Sequence, residues 1–435
     1  MKRNYFCLVL VMLFSMTGLK AYAEDYDFSV ANADGVTIYY NYINDGQEAA
    51  VTCKYSSVFY SSDYKDKVVI PEEVTYNDKT LKVTAIGDYA FAGTWVKSVV
   101  LPNTVTTIGE SAFDNCGYLS TITLPASVTS IEKYAFEGTD LSEVVSYIEN
   151  PFAVRGKEYD SRSFSVGTFD NAIVYVPAGT TDKYKETDGW KDFAHFKEGT
   201  PTGRDIEIGG LHYNLDMEAK AAEVTFGPNC YEGDVVIPSS VTYNDETYSV
   251  TGIGHSAFAS CFDLTSISIP SSVTTIGLYA FSTTALTSIA IPEGVTTIGG
   301  HAFEYCDSLT EISIPHSVTS IGTYAFFNPQ IETVKINNET PLSNVGCNAF
   351  EYRDKITLYV PVGSKEAYAT HNFWYAFKEI IETDNFDTGI REVRNEEVKS
   401  DKCVYGIYTL DGRRLNGKPT QTGVYIVNGK KTVIK

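Results

Sequence analysis

The hydrophobic and polar positions of this chain repeat in a fixed phrase. It reads Leu-x-x-Ile-x-Ile-Pro-x-x-Val-Thr-x-Ile-Gly-x-x-Ala-Phe, and successive phenylalanines within a run are 22 to 24 residues apart. A repeat of this length indicates a solenoid, in which each repeat forms one turn and buries its apolar side chains against its neighbours. We assign these phenylalanines to the repeat core: Phe91, Phe113, Phe136, Phe258, Phe281, Phe303, Phe326 and Phe350.

One turn shows how the pattern predicts a strand and the corner that follows it. Leu119, Ile122 and Leu124 have the spacing of inward positions along a short strand. Pro125 ends that strand because proline has no backbone N–H for a further ladder bond. The apolar residues after it are expected to return the chain across the core and to bring Ala-Phe to the far side.

Most turns carry a glycine directly after the repeat isoleucine. The positions are Gly87, Gly109, Gly254, Gly277, Gly299 and Gly322. We expect these glycines either to have a positive φ or to permit close stacking of adjacent turns. Glu132 takes this place in one turn, so either the conformation there differs or a cost of about 1 kcal/mol is tolerated.

The repeats fall in two blocks that match at an offset of 167 residues. The Val-Ile-Pro sequence at 69–71 returns at 236–238, and Thr-Tyr-Asn-Asp at 75–78 returns at 242–245. The second block has one extra turn, at 314–326. These correspondences indicate a tandem duplication in which each copy has its own beginning, coil and end.

Each copy is predicted to begin with strands and to end with a short helical stretch. The Asn-Asp pairs within 75–78 and 242–245 have the position of a hairpin turn. The closing stretches, 181–193 and 364–377, contain Trp190 and Trp374, which we interpret as cap core residues rather than ligand-stacking residues. Terminal turns of a solenoid need such caps because their open core would otherwise face water.

The predicted fold is β-rich, with two tandem solenoid modules, each with an N-terminal strand cap and a C-terminal helical cap. A small β-sandwich-like module follows, because alternating residues near the C-terminus are broken at Asp-Gly and Asn-Gly. The predicted segments are 1–23 signal peptide, 24–198 first module, 199–203 linker, 204–385 second module, 386–402 linker and 403–435 C-terminal module.

Residues 1–23 have the order of features that is typical of a secretory signal. Lys2 and Arg3 precede an apolar run that is too short to span a bilayer, and the small-x-small sequence at 21–23 predicts cleavage after Ala23. No later stretch is apolar enough to cross a membrane. The mature protein is therefore expected to be secreted or attached to the outer cell surface.

The charge excludes two classes of partner. The chain has a formal net charge of -21, and removal of the signal, with its three basic residues, takes this to -24. Nucleic acids and anionic lipids both demand a basic footprint. Neither is therefore an expected partner.

Export makes disulfides possible, so the cysteine positions matter. Cys116, Cys261 and Cys306 each lie three residues after a repeat phenylalanine, where a small apolar thiol is most simply a core residue. Cys261 and Cys306 are two turns apart, about 10 Å by strand spacing, which is beyond disulfide reach. We predict free, buried thiols.

The sequence offers no recognisable catalytic or metal-binding motif. It lacks Gly-x-Gly-x-x-Gly, a P-loop, His-Glu-x-x-His and Cys-x-x-Cys, and no acidic run has the spacing of a calcium loop. His255 and His301 lie at different offsets from the phenylalanine, so they are not expected to form a metal pair. We expect no enzyme, cofactor or metal site, although a carboxylate pair formed only in space stays open.

The outward positions of the strands are the surface that a partner would meet. They are Lys97, Ser98, Val100, Ser120, Thr121, Thr123, Ser142, Glu143, Val145, Thr265, Ser266, Ser268, Thr287, Ser288, Ala290, Thr310, Glu311, Ser313, Glu332, Thr333 and Lys335. This surface is small and hydroxyl-rich. It is either a solvated sheet with good β-propensity or a broad protein-binding face. Its rows are too irregular for an ice-binding array.

The repeat resembles a known family in its Ile-Pro, Val-Thr-x-Ile-Gly and Ala-Phe-x-x-Cys elements. They are similar to the BspA-like leucine-rich repeat family of bacterial surface proteins, over most of 68–380, with departures at Glu132 and 150–167. The stretches 410–414 and 423–431 resemble the sorting domain of type IX secretion cargo. The resemblance implies an adhesin-like protein, since family members bind host matrix proteins such as fibronectin and fibrinogen.

We therefore expect a non-enzymatic interaction protein that binds a host or partner protein through a solenoid face. Contact is expected on the second copy, the longer unbroken coil, where two glutamates lie on successive turns, about 5 Å apart by strand spacing. The candidate partner-binding residues are Glu311, Ser313, Glu332, Thr333 and Lys335. The alternative is a carbohydrate-binding surface protein for nutrient capture, which would need exposed aromatic residues on its concave face.

Overall fold

The computed structural model describes residues 26–54, 64–386 and five short strands from residue 391 onward. The predicted signal peptide lies outside the described residues, as do most of the second linker and the turns of the C-terminal module. The chain divides into two compact units, Met1–Thr200 and Pro201–Lys435.

The first unit is built mainly of strands. They are Phe28–Ala31, Thr37–Ile43, Glu48–Thr52, Lys65–Val69, Glu73–Tyr76, Lys79–Ile86, Trp95–Val100, Thr107–Ile108, Thr121–Leu124, Ser130–Ile131, Glu143–Ser146, Ile173–Val176 and His195–Glu198. Its helical elements are Val166–Asn171, Thr181–Glu186 and the 3-10 turn Trp190–Asp192.

The second unit has a similar order of elements, with one strand more than the first up to Thr383. Its strands are Ile206–Ile208, Leu211–Asp216, Ala221–Thr225, Gly233–Val236, Ser240–Tyr243, Glu246–Ile253, Leu264–Ser268, Thr275–Ile276, Thr297–Ile298, Glu311–Ile314, Ser320–Ile321, Thr333–Ile336, Thr357–Pro361 and Glu379–Thr383. Its helical elements are Lys365–Thr370 and the 3-10 turns Arg353–Lys355 and Trp374–Ala376. The strands Arg391–Glu392, Ile407–Thr409, Arg414–Leu415, Gly423–Val427 and Lys430–Ile434 form a separate five-stranded sheet.

The repeat phenylalanines form one stacked ladder in each unit. Phe91 and Phe113 have ring centroids 5.0 Å apart and planes 4° apart, and Phe303 and Phe326 are 5.2 Å and 2° apart. These rings are fully buried. Because the backbone of each Ala-Phe step also donates to the next turn, as in Phe303 N to Ala325 O at 2.7 Å, ring stacking and hydrogen bonding have the same period.

The phenylalanine ladder of the first unit includes one ring that the sequence pattern did not predict. Phe164 stacks on Phe136 at 5.0 Å and 7°, although it lies in the stretch 150–167 where the repeat register is lost. The longer connection changes the spacing along the chain but returns a phenylalanine to the same place in the core. Sequence spacing alone could not reveal that return.

The glycine after the repeat isoleucine serves close stacking, and it does not have a positive φ. A Cβ on Gly322 would lie 2.2 Å from the backbone nitrogen of Gly300 and 2.6 Å from the carbonyl carbon of Gly299. The left-handed positions fall instead two residues later, for example at Tyr279 and Tyr324, with φ of 54° and 56°. Of the two expected roles of these glycines, close stacking is the one found, because the chain takes its positive φ two residues further along.

Hairpins begin both units. The strands Glu73–Tyr76 and Lys79–Ile86 pair antiparallel, and the two residues between them, Asn77 and Asp78, have φ of 48° and 61°. A tight two-residue turn requires a positive φ at both central positions. Asparagine and aspartate tolerate a positive φ. The same pairing joins Ser240–Tyr243 to Glu246–Ile253.

Each unit ends on a buried tryptophan. Trp190 and Trp374 are fully buried, and their indole N–H groups donate to Phe152 O at 2.9 Å and to Leu342 O at 3.0 Å. Trp374 also lies 6.0 Å from the last ladder ring, Phe350. These tryptophans therefore close the core and present no free ring face to a ligand.

The cysteines at the third position after a repeat phenylalanine lie in the core. Cys306 donates from Sγ to Phe281 O at 3.1 Å, and Thr284 occupies the same place one turn earlier with a 3.0 Å bond to that carbonyl. The six cysteines of the described residues are thiols, as predicted, and all but Cys230 and Cys347 are buried. Burial raises the pKa of the Cys116 thiol to about 12 and that of Cys306 to about 11. Cys347 differs from the prediction because it is exposed.

Candidate functional site

The predicted binding residues of the second unit lie on or beside a four-stranded parallel sheet. Its strands are Glu311–Ile314, Thr333–Ile336, Thr357–Pro361 and Glu379–Thr383. We call its outward side the strand face. Two rows of exposed or half-buried residues cross it in register: Glu311, Thr333, Thr357 and Glu379, then Ser313, Lys335, Tyr359 and Ile381.

Lys335 lies at the centre of the strand face. Its Nζ is 2.6 Å from Oε1 of Glu311, and its partner across the ladder is Ser313. Tyr359 follows on the next strand and Ile381 on the one after. The face therefore runs from an ion pair to a half-buried apolar patch, which extends the predicted binding residues towards the C-terminal cap.

The two glutamates are not the adjacent pair that strand spacing suggested. Glu311 is opposite Thr333, whereas Glu332 lies outside the strand and donates its backbone N–H to Thr310 O at 2.9 Å. Glu311 also has a cationic partner in Lys335. The prediction that Glu311 and Glu332 are neighbours across the ladder was wrong, because Glu332 lies one residue before Thr333, the residue opposite Glu311.

Several strand positions predicted to face outward are buried. Lys97 is 3% exposed, and Ser120, Val145 and Ser268 are also buried. Lys97 is the extra residue of a β-bulge, because Val96 pairs with Asp66 while Ser98 pairs with Lys67. A bulge re-aims one side chain, and here the ammonium forms an ion pair of 3.1 Å with Asp66.

The coil of the second unit is not an unbroken sheet. A two-stranded ladder joins Gly233–Val236 to Leu264–Ser268, and the four-stranded sheet starts only at Glu311–Ile314. The intervening turn keeps its core residues Leu286, Ile289 and Ile291 buried without forming a strand. Side-chain packing maintains the coil there, so the coil continues although its strand surface is interrupted.

A second surface lies where the chain turns around the ladder phenylalanines, and we call it the turn face. In the second unit, the ring of His301 stacks between Tyr279 at 4.5 Å and Tyr324 at 5.1 Å. His255 precedes this column, 6.0 Å from Tyr279. Sequence analysis missed the column, although its members except His255 recur two residues before each phenylalanine.

The turn face continues beyond that column. Phe327 contacts Tyr324 at 5.2 Å and Tyr305 at 5.6 Å, in both cases edge to face. Tyr305 is 48% exposed, and Phe262, on an earlier turn, is 57% exposed. The second unit thus presents exposed aromatic rings on its turns, whereas the aromatic residue of the strand face, Tyr359, is half-buried.

The turn face of the first unit also carries tyrosines two residues before its phenylalanines, at Tyr89 and Tyr134, but it adds ion pairs. Lys133 pairs with Glu110 at 2.9 Å, and Arg162 pairs with Glu137 at 2.6 Å. Burial, reinforced by the neighbouring Glu137 carboxylate, raises the pKa of Asp114 to about 6. The two copies therefore differ in the Lys and Arg side chains of this face.

A polar depression of about 660 Å³ lies beside the second cap. Its lining includes Cys347, Asn348, Arg353, His371 and Phe373. The guanidinium of Arg353 already donates to Phe373 O at 2.7 Å and lies 4.3 Å from the Phe373 ring centroid. That cation serves to hold the cap loop.

The described part of the chain holds no group of three or more His, Cys, Asp or Glu side chains placed to bind a metal ion. Within the same residues, no helix has the length and apolar character needed to cross a bilayer.

Comparison with known proteins relates the repeats to one family. The BspA type leucine rich repeat region matches in six copies, at residues 84–152 and 226–357. No curated protein matches the chain.

Among solved structures, the chain is similar to a leucine-rich repeat protein from Bacteroides capillosus, with 29% identity, 30% of this chain and 96% of that chain covered, and a TM-score of 0.28. It is also similar to the pneumococcal vaccine antigen PcpA, with 15% identity, coverage of 82% and 99%, and a TM-score of 0.35. A Treponema pallidum leucine-rich repeat protein has 24% identity, coverage of 41% and 82%, and a TM-score of 0.33. The repeats of this chain are therefore similar to BspA-type leucine-rich repeats over residues 84–152 and 226–357.

Proposed function

We propose that this chain is a secreted or cell-surface, non-enzymatic interaction protein, adhesin-like in character, which binds a protein partner through the strand face of its second unit. Repeat coils of this kind characteristically offer extended binding surfaces. The filled core supports the proposal, since stacked phenylalanines and buried aliphatic residues occupy the inside of both described coils.

The observation that carries the proposal is the change across the strand face from charged to apolar side chains. A central ion pair, Lys335 with Glu311, lies beside half-buried Tyr359 and Ile381 on successive strands. Protein interfaces combine an apolar, often tyrosine-bearing centre with a polar rim. The row of Ser313, Lys335, Tyr359 and Ile381 provides a polar part and an apolar part on four adjacent strands. The outward strand positions on earlier turns are mostly Ser and Thr.

Lys335 and Tyr359 are the residues to test. The mature chain would be screened by surface plasmon resonance against fibronectin, fibrinogen and a glycan array, because the family resemblance suggests a matrix protein. A Lys335→Gln/Tyr359→Ser variant is expected to weaken protein binding about tenfold or more, as loss of an interface centre does.

The matched control is Lys365→Gln/Tyr375→Ser, which changes the same residue types at exposed positions of the cap. It should bind like the wild type. Equal binding by the test and control variants would place the contact elsewhere. Binding to glycans and to none of the proteins would favour the carbohydrate-binding alternative.

A further inference from the structure

The turn face of the second unit carries rings that the strand-face proposal does not use. They are His255, Phe262, Tyr279, His301, Tyr305, Tyr324 and Phe327. We infer that this face is a second interaction surface, which binds an arginine- or lysine-bearing segment of a partner protein. It is a different surface from the strand face and takes a different kind of ligand.

The charge pattern of the second unit favours a cationic partner. Between Ala221 and Val334 the chain contains eleven Asp and Glu residues and no Lys or Arg. Asp263 and Asp307 are exposed, and they follow the two most exposed rings, Phe262 and Tyr305, closely in sequence. A surface of one sign attracts ligands of the opposite sign and raises their rate of association.

The corresponding face of the first unit has its own cations. There, Lys133 and Arg162 pair with Glu110 and Glu137, so basic side chains of the chain itself occupy those carboxylates. The second copy has no Lys or Arg on the matching turns, and its Glu304 is paired with the imidazole of His301, Nδ1 to Oε2 at 3.0 Å. A partner's cation would instead meet the exposed carboxylates Asp263 and Asp307, on turns where the second unit has no Lys or Arg.

The ring geometry favours a basic side chain over a sugar. Tyr279, His301 and Tyr324 stack on one another at 4.5 and 5.1 Å, so most of their faces are covered. A sugar binds aromatic residues mainly through an open ring face. Ring edges, phenol oxygens and carboxylates instead suit the aliphatic stem and charged head of Arg or Lys.

The two exposed rings add a further attraction. Tyr305 and Phe262 are 48% and 57% exposed, so a guanidinium has access to their faces. Cation–π contacts of this kind favour arginine, which stacks flat and loses less hydration than lysine. We therefore expect arginine-bearing segments to bind more tightly than lysine-bearing ones.

The test uses the mature chain and a short fluorescent peptide in which four arginines alternate with glycine and serine. Its comparator carries citrulline, which keeps the shape of arginine but has no charge. Fluorescence anisotropy should show binding to the arginine peptide, about tenfold weaker binding to the citrulline peptide, and weakening as salt screens the charges. Equal binding of both peptides would overturn the inference.

Two pairs of variants locate the binding surface. Asp263→Lys/Asp307→Lys should weaken arginine-peptide binding about tenfold, whereas the control Glu339→Lys/Asp384→Lys makes the same change in net charge elsewhere in the second unit. Phe262→Ser/Tyr305→Ser should weaken binding too, whereas Tyr147→Ser/Tyr159→Ser, at exposed positions of the first unit, should not.

Circular dichroism would confirm that each variant is folded. If test and control charge variants weaken binding equally, the attraction is diffuse and the inference fails. Wild-type self-association that disappears in Phe262→Ser/Tyr305→Ser would assign the face to a second copy of this chain instead. Because no strand-face residue is altered, failure here leaves the proposed function untouched.

Discussion

Phe303 and Phe326 stack with centroids 5.2 Å apart and planes only 2° apart, across two turns separated by 23 residues. Neither ring is exposed to solvent. The pair shows how the coil is held together, since every turn supplies one ring to a ladder whose period matches the backbone rise.

Removal of one ladder ring should strongly destabilise the second unit. We expect Phe303→Ala to lower the free energy of unfolding by about 3–5 kcal/mol, because it leaves a cavity between two stacked neighbours. Urea denaturation monitored by circular dichroism would measure this. Phe262→Ala, at a position 57% exposed, is the control and should change the midpoint little. An unchanged midpoint for Phe303→Ala would contradict the ladder.

The buried ion pair of the first unit should show energetic coupling. Lys97→Met keeps the buried stem but removes the charge that faces Asp66, and we expect a loss of about 3 kcal/mol. Asp66→Gly supplies the residue found at the corresponding place in the second unit, Gly233, which also has a positive φ. The double variant should lose less stability than the two single variants lose together, with a coupling energy of about 1 kcal/mol or more.

A double-mutant cycle from chemical denaturation would measure this coupling. Additive losses would show that Lys97 and Asp66 act independently, and that the bulge alone holds the lysine inside.

The native cysteines should differ in reactivity. Cys347 is exposed, whereas burial raises the pKa of Cys116 and Cys306 to about 12 and 11. Since the thiolate is the reactive form, iodoacetamide should alkylate Cys347 well before the other two. Mass spectrometry of the oxidised protein should also find no bridge between Cys261 and Cys306. Detection of that bridge would contradict the order of the turns.

Stability of the first unit should depend on the protonation of Asp114. Burial and Glu137 raise its pKa to about 6, so the folded chain holds this proton at a higher pH than the unfolded chain does. The resulting stabilisation is complete below the ordinary aspartate pKa and is lost as pH rises through about 6. Asp114→Asn should therefore raise the thermal midpoint at about pH 7.5 and leave it nearly unchanged at about pH 4.

Calorimetry at the two pH values would test this, with Asp263→Asn, at an exposed carboxylate of the second unit, as the control. A gain of equal size at both pH values would show that the amide acts by a contact and not by removal of charge.

The second copy should fold by itself. Both units have their own strand-rich beginning and their own tryptophan cap, and the chain divides at Thr200 and Pro201. We predict that residues 204–385 expressed alone unfold in one cooperative transition. Residues 24–198 are the matching fragment of the first copy. A disordered 204–385 fragment would mean that the two copies depend on each other.

The sequence by itself determined the repeat, its period and the place of the core. Phe91 through Phe350 recur because each turn must bury the same ring against its neighbours, and a requirement that repeats in space also repeats along the chain. The hairpins at Asn77-Asp78 and Asn244-Asp245 could also be predicted from the sequence, since few residues tolerate a positive φ.

Tertiary structure alone decided which side chains share a surface. The bulge that turns Lys97 inward, the shift that places Glu311 opposite Thr333, and the return of Phe164 to the ladder all depend on register between turns. A shift of one residue in the register of a strand moves its buried side chains to the surface and its exposed side chains to the core. The column of Tyr279, His301 and Tyr324 was present in the sequence as a period, but only stacking of the turns brings those rings within 4.5 to 5.1 Å of each other.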